Sequence, residues 1–311
     1  MGGFFHILLA SIKREERVGA MRTWAIIGGD GRQISMLENF RQKQISVCAW
    51  GIGRASTASN WRSAVRNADV VALPLPATAD GVRIRCPLQE ELGVRFSNLL
   101  EELKPNATVY GGKIPPLWME QAEKRGIQLY DYFSSEALQM RNALPTVEGA
   151  ILLALQALPV TLQGCSVAVL GYGRIASLLA ERLLTLGADV TVYARKERDL
   201  EHARLRRCKA KALFGEDETS SLCELSSDCR IVFNTVPQRI VTESVLRHWR
   251  GDCVLMELAS LPGGFDTVAA EKLSFPLIIA SALPGKYFPE TAGNILADVL
   301  IEMEERSASI Q

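Results

Sequence analysis

Two stretches of this chain repeat one local form, and that repetition restricts its fold more than any other feature. "WAIIGGDGRQISML" (Trp24–Leu37) and "VAVLGYGRIASLLAERL" (Val167–Leu183) each read as an apolar strand that breaks into glycines and resumes as a helix. Such a unit belongs to a parallel sheet covered by helices on both faces. Two of them within 311 residues predict two domains of this kind.

The remaining pattern fills in both sheets. A first series of strands falls near Trp24–Gly28, Ser46–Trp50, Ala68–Leu73, Thr108–Tyr110 and Gln128–Tyr130. A second falls near Ser166–Leu170, Asp189–Tyr193, Lys211–Phe214, Arg230–Thr235, Val254–Leu258 and Leu277–Ala280. Between them "LPTVEGAILLALQALPV" reads as an amphipathic connector helix, opened by Pro145 and Thr146 and closed before Pro159. "PETAGNILADVLIEMEERS" reads as a final helix that returns to the first domain. The expected fold is α/β: two doubly wound Rossmann-like domains with a cleft between them. Residues 21–145 with 288–311 form the substrate domain, and residues 146–287 the nucleotide domain with its connector.

The second turn carries the dinucleotide fingerprint. Gly171-x-Gly173-x-x-Ala176 follows a strand and opens a helix. Its glycines permit the tight turn and the approach of a pyrophosphate, and Ala176 lets helix and strand pack closely. Arg174 and Ile175 lie at the head of that helix. The next strand ends at "VYARKER", where Arg195 and Lys196 stand in place of the carboxylate that would bind a ribose diol. Cations there suit a 2′-phosphate, so the expected cofactor is NADP. Asp199 comes later, in the following helix, and is set aside. Two further strand ends, "VFNTVP" with Thr235, Val236 and Pro237 and "MELASLPGG" with Ala259 and Ser260, support a nicotinamide site and complete the cofactor-binding set. Ligands of open α/β sheets bind outside such carboxyl ends.

The first turn departs from the fingerprint. In "GGDGRQ", Asp30 would aim a carboxylate at a pyrophosphate, and Gln33 and Ile34 fill the place where a small residue belongs. A tip of Asp30, Arg32 and Gln33 suits a polar substrate instead, since Arg32 can fork onto a carboxylate. Other polar groups at loops are Arg83, Arg85, Lys113, Asn142 and Thr146, followed by Glu148 and Lys286. Cations of this number point to an anionic substrate with more than one carboxylate. Glu148, on the connector helix, is the candidate proton acceptor, with helix capping as the other explanation of that residue.

Composition narrows the rest. Net formal charge is zero, which implies no nucleic-acid partner, and no apolar run reaches membrane-spanning length. Seven scattered cysteines without a C-x-x-C pair read as reduced thiols of a cytosol, and no metal site is expected. The histidines are His6, His202 and His248. None falls at a strand end, which argues against the 2-hydroxy-acid dehydrogenases and their histidine acid/base. Residues 1–20 have two readings: a disordered leader, or untranslated sequence before a start at Met21, since the Lys13–Arg17 run can be encoded by unbroken purines.

Taken together, "GGDGRQ", "PLP" with its following Asp-Gly, "ALPTVEGAI", "VLGYGRIA", "ELASLPGG" and "LPGKYFPETAG" make the chain resemble the family of the dipicolinate synthase A subunit. The resemblance runs from about Met21 to the last helix. It implies NADP-linked aromatisation of a dihydrodipicolinate or hydroxy-tetrahydrodipicolinate ring in a sporulating bacterium, in the cytoplasm of the mother cell. It also implies a partner, the flavoprotein-like B subunit, with a homo-oligomer expected. In that scheme Arg32 and Lys113 meet the ring carboxylates, assisted by Asp30, Gln33, Asn142 and Thr146, and Glu148 or Lys286 serves catalysis. "DLEHARLRRCKAKALFGED" and "ATADGVRIRCP" depart from the familiar pattern, and the leader matches nothing. Competing readings are an alanine-dehydrogenase-like enzyme and a non-catalytic NADP-binding regulatory subunit.

Overall fold

The computed structural model describes residues 22–89, 93–214, 221–225 and 227–310. Both readings of the leader lie outside the described residues. In chain order the elements are β1 (Trp24–Ile27), α1 (Gly31–Gln42), β2 (Val47–Trp50), α2 (Trp61–Val65), β3 (Val70–Ala72), α3 (Phe96–Glu102), β4 (Thr108–Gly111), α4 (Pro116–Glu123) and β5 (Gln128–Asp131). There follow α5 (Glu136–Arg141), α6 (Ala143–Ala157), β6 (Ser166–Leu170), α7 (Arg174–Thr185), β7 (Asp189–Ala194), α8 (Glu197–Leu205) and β8 (Lys209–Ala212). The chain then runs through β9 (Ile231–Asn234), α9 (Glu243–Leu246), β10 (Val254–Glu257), α10 (Thr267–Lys272), β11 (Leu277–Ile279), α11 (Leu283–Tyr287) and α12 (Pro289–Ile310).

These elements divide into two units, one ending at Gln139 and resuming at Pro289, the other Met140–Phe288. The sheet of the first unit has order β2-β1-β3-β4-β5, and that of the second β11-β10-β9-β6-β7-β8. Every strand pair is parallel. In each, the order reverses beside the first strand: between β1 and β3, and between β6 and β9. That reversal opens a crevice at the carboxyl ends, because the two flanking loops turn away in opposite directions.

The central strands are apolar throughout because both faces are covered. In the first unit, Trp24, Ile26, Met36, Leu37 and Phe40 share a core with Leu296, Ala297, Val299 and Leu300 of α12. Gly293 allows the close approach of α12 to α1, since a side chain there would collide with the Arg32 carbonyl. In the second unit, Ala150 and Ala154 of α6 pack with Leu179 and Leu183 of α7 against one face of the sheet. Full burial of a leucine such as Leu183 contributes about 1.5–3 kcal/mol.

Most strand boundaries shift by a residue or two from the sequence expectation, and two elements show why. β8 lies two residues before Lys211–Phe214, because this exposed edge strand of lysines and alanines has little apolar pattern to read. The connector helix begins at Ala143, which leaves Pro145 inside its first turn, where a missing N–H breaks no helical bond.

Candidate functional site

The turn after β6 is open. Gly171 has φ 94°, and a Cβ there would lie 2.5 Å from the Thr235 hydroxyl oxygen, so only glycine fits. That hydroxyl donates to the Leu170 carbonyl at 2.8 Å and ties the β9 end to the turn. Gly173 is the N-cap of α7 and no side chain caps it. A Cβ at Gly173 would meet nothing within 4 Å. No N-cap side chain occupies the head of α7, and free space lies beside Gly173, the arrangement that receives a phosphate.

A crevice of about 390 Å³ opens there. It brings together Gly171, Gly173, Arg174, Ile175, Arg195, Lys196, Thr235, Val236 and Pro237, all read from the sequence as cofactor-binding. Asp199 lines it as well, one helical turn after Arg195 and Lys196. Setting Asp199 aside by its sequence distance overlooked that turn of α8. A neighbouring groove of about 670 Å³ shares Tyr172, Gly173, Arg174 and Asp199, and His202 and Arg206 lie along it. Burial pushes the Tyr172 hydroxyl up, against the pull of Arg206.

Ala259 and Ser260 sit apart from this lining, in the loop after β10. That loop is held by Glu257, a buried carboxylate that sequence reading missed. Glu257 accepts from Asn234 Nδ2 at 2.6 Å and from the backbone N–H groups of Ala259 (3.0 Å), Gly264 (2.7 Å) and Phe265 (3.2 Å). A buried charge persists only when paired or fully hydrogen-bonded. A glutamate closing the otherwise apolar strand "VLME" was the available signal.

The turn after β1 is closed by its own side chains. Asp30 caps α1, its Oδ1 accepting from the Arg32 N–H at 3.1 Å, while Gln33 Oε1 accepts from the Asp30 N–H at 3.0 Å. Arg32 forks onto Asp30 through Nε at 2.9 Å and Nη2 at 2.8 Å, and Nη2 also donates to the Leu75 carbonyl. Burial raises the Asp30 carboxyl, but the hydrogen bonds and charge of Arg32, with the charge of Arg85, outweigh it and hold the group below 3.8. Gln33 is fully buried, and its Nε2 has no partner among the described residues. The expected polar tip is therefore a network turned in on itself, in which Asp30 and Arg32 pair with each other and Gln33 Nε2 is left over.

Lys113 follows β4 in the left-handed region, φ 54°. Its N–H and that of Ile114 donate to the Asp131 carboxylate, and its Nζ stands 4.8 Å from the Phe133 ring centroid. In the second unit, the Thr146 hydroxyl donates to the Asn142 carbonyl at 2.7 Å, and Asn142 Oδ1 is buried without a partner among the described residues. Glu148 and Lys286 are both exposed. They ride on touching elements, since Gly149 of α6 packs against Leu283 of α11, and Lys286 Nζ lies 5.0 Å from the Tyr287 ring centroid. His248 is exposed, its Nδ1 2.8 Å from the Ser244 carbonyl. Among the described residues there is no group of three metal-ligating side chains, and no helix is long and apolar enough to cross a membrane.

Two family models match the chain. One, described as the N-terminal domain of the dipicolinate synthase A subunit, covers residues 23–133. The other, the NAD-binding domain of D-isomer specific 2-hydroxyacid dehydrogenases, covers residues 145–252. The dipicolinate synthase A subunit of Bacillus subtilis (strain 168) is 31% identical over 292 residues, spanning 90% of this chain and 94% of the relative. The crystal structure of that Bacillus subtilis enzyme's A chain superposes with a TM-score of 0.81 at 28% identity, covering 94% of this chain and 98% of that one. The dipicolinate synthase A subunit from Bacillus halodurans gives 0.82 at 28% identity, covering 91% and 97%.

Proposed function

The chain belongs to the family of the dipicolinate synthase A subunit, and on that footing we propose that it oxidises a dihydrodipicolinate or hydroxy-tetrahydrodipicolinate ring to dipicolinate with NADP⁺ during sporulation. The observation that carries this reading is the open, uncapped Gly171–Ala176 turn at the head of a crevice lined by Arg195 and Lys196. The residues present fit the cofactor. The first amides of α7 would hold the pyrophosphate, Thr235, Val236 and Pro237 the adenosine, and Arg195 with Lys196 the 2′-phosphate. Bound there, NADP⁺ supplies the hydride acceptor. Ala259 and Ser260, braced by Glu257, would border the nicotinamide end.

The protein's own share of the chemistry is recognition and proton movement. Aromatisation of a dihydro ring removes one hydride and one proton, and the hydroxylated form must also lose water. Glu148 is proposed to take the proton, with Lys286 assisting loss of water. Carboxylate recognition is assigned to Lys113 and to the charged cluster that Asp30, Arg32 and Gln33 build at the first turn, with Asn142 and Thr146 as neutral partners. A flavoprotein-like B subunit, homo-oligomeric assembly and a place in the cytoplasm of the mother cell complete the proposal.

Asp199 favours a second reading of the cofactor, because a carboxylate lining the crevice can accept from a ribose diol and select NAD. One assay decides both questions. Purified protein, with and without the B subunit, receives enzymically generated precursor and either NADP⁺ or NAD⁺, and dipicolinate is followed by its absorbance. NADP⁺-dependent product is expected. Preference for NAD⁺ would transfer the role from Arg195 to Asp199. Tight NADPH binding with no product, even with the B subunit, would assign this protein a regulatory role.

A further inference from the structure

The two arginines that reach Asp30 are in different states. Arg32 commits Nε and Nη2 to the Asp30 carboxylate and Nη2 again to Leu75, and its side chain is only 10% exposed. Arg85 makes one long contact, Nη1 to Asp30 Oδ2 at 3.4 Å, with its side chain 32% exposed. No other partner of its guanidinium occurs among the described residues. Its backbone is fixed nonetheless: the Gly29 N–H donates to the Arg85 carbonyl, and the Arg85 N–H to the Ala77 carbonyl, both at 2.9 Å. Those bonds hold Arg85, in the loop that leaves β3, against the loop that leaves β1, where the strand order reverses. Arg83, two residues earlier, is tied to the Gly93 carbonyl at 3.0 Å.

We infer that Arg85, held at the strand-order reversal of the first unit, is the guanidinium that receives a ring carboxylate of the substrate, and that Arg32 is the brace fixing Asp30. This rests on the dicarboxylate reading above. Asp30 carries one negative charge between two positive ones, so the cluster keeps a net positive charge, and Arg85 is its accessible end. A 3.4 Å contact is at the limit of a hydrogen bond, whereas a forked arginine–carboxylate pair closes to about 2.7–2.9 Å. A carboxylate therefore gains more from Arg85 than Asp30 gives up. Guanidinium geometry matters here, since an ammonium offers no fork.

The full-length protein is titrated calorimetrically with dipicolinate, with and without NADPH. Arg85→Ala should weaken dipicolinate binding about tenfold to a hundredfold, the effect of one charged hydrogen-bonding group. NADPH affinity and thermal midpoint should stay at wild-type values, and Arg85→Lys should recover only part of the loss. Dipicolinate binding by Arg85→Ala as tight as wild type would overturn the inference and leave the functional reading standing. A wild-type protein that binds no dipicolinate in either condition would sink the functional reading, and the assignment of Arg85 with it.

Discussion

At the end of β1 the helix that follows is stoppered by its own side chains; at the end of β6 the corresponding helix is bare. Asp30 and Gln33 close the first as a capping box, and a Cβ on Gly31 would already lie 3.0 Å from Pro289. Gly173 caps the second without a side-chain bond and with nothing within 4 Å of where its Cβ would be. The same strand–turn–helix form can therefore offer its amides to a ligand or satisfy them internally. Side chains at the tip decide which. Glycines alone mark a turn; whether a phosphate can enter depends on whether something already occupies the helix end.

Breaking the closed turn should have the largest effect. Asp30→Ala removes the cap and leaves Arg32 without its carboxylate, which should cost about 3 kcal/mol. Chemical denaturation would read that loss, while NADPH affinity should stay unchanged; a fall in NADPH affinity would return the first turn to the nucleotide. Gly171→Ala tests the open turn. The strained φ and the clash with Thr235 should weaken NADPH binding about tenfold to a hundredfold by fluorescence titration, and unaltered binding would contradict the assignment. Arg195→Ala should lower preference for NADPH over NADH about tenfold, whereas an unchanged ratio would point to other residues.

The smallest effect is in acid. Asp30 has its carboxyl held below 3.8, so its charged form stabilises the fold at pH above that value. That contribution is lost as pH falls through the lowered value. The stability gap between wild type and Asp30→Asn should be constant near neutral pH and narrow below about pH 4. A gap that widens there would show that Arg32 does not hold Asp30 as described.

Much of this was legible in the sequence. The strand runs, the connector and the "GYGRIA" turn announce themselves locally, through buried apolar blocks and glycines at fixed spacing. The state of Arg32 was not legible, because its partners are a residue two positions back and a carbonyl at Leu75, beyond the next two strands. Asp199 was hidden by counting along the chain instead of around α8, whose first turn carries it back to the crevice. Glu257 was passed over because a carboxylate at a strand end looks like a surface residue until its donors from Asn234 and the Gly264 loop are seen together.

The helix α12 has a consequence for the order in which the molecule is made. It supplies Leu296, Ala297, Val299 and Leu300 to the core around Trp24, Met36 and Phe40. During synthesis, a polypeptide grown as far as Phe288 already contains every strand of the second unit, while that core still lacks one wall. The second unit can thus reach its native packing while the strands of the first, made before it, still wait for α12, made after it.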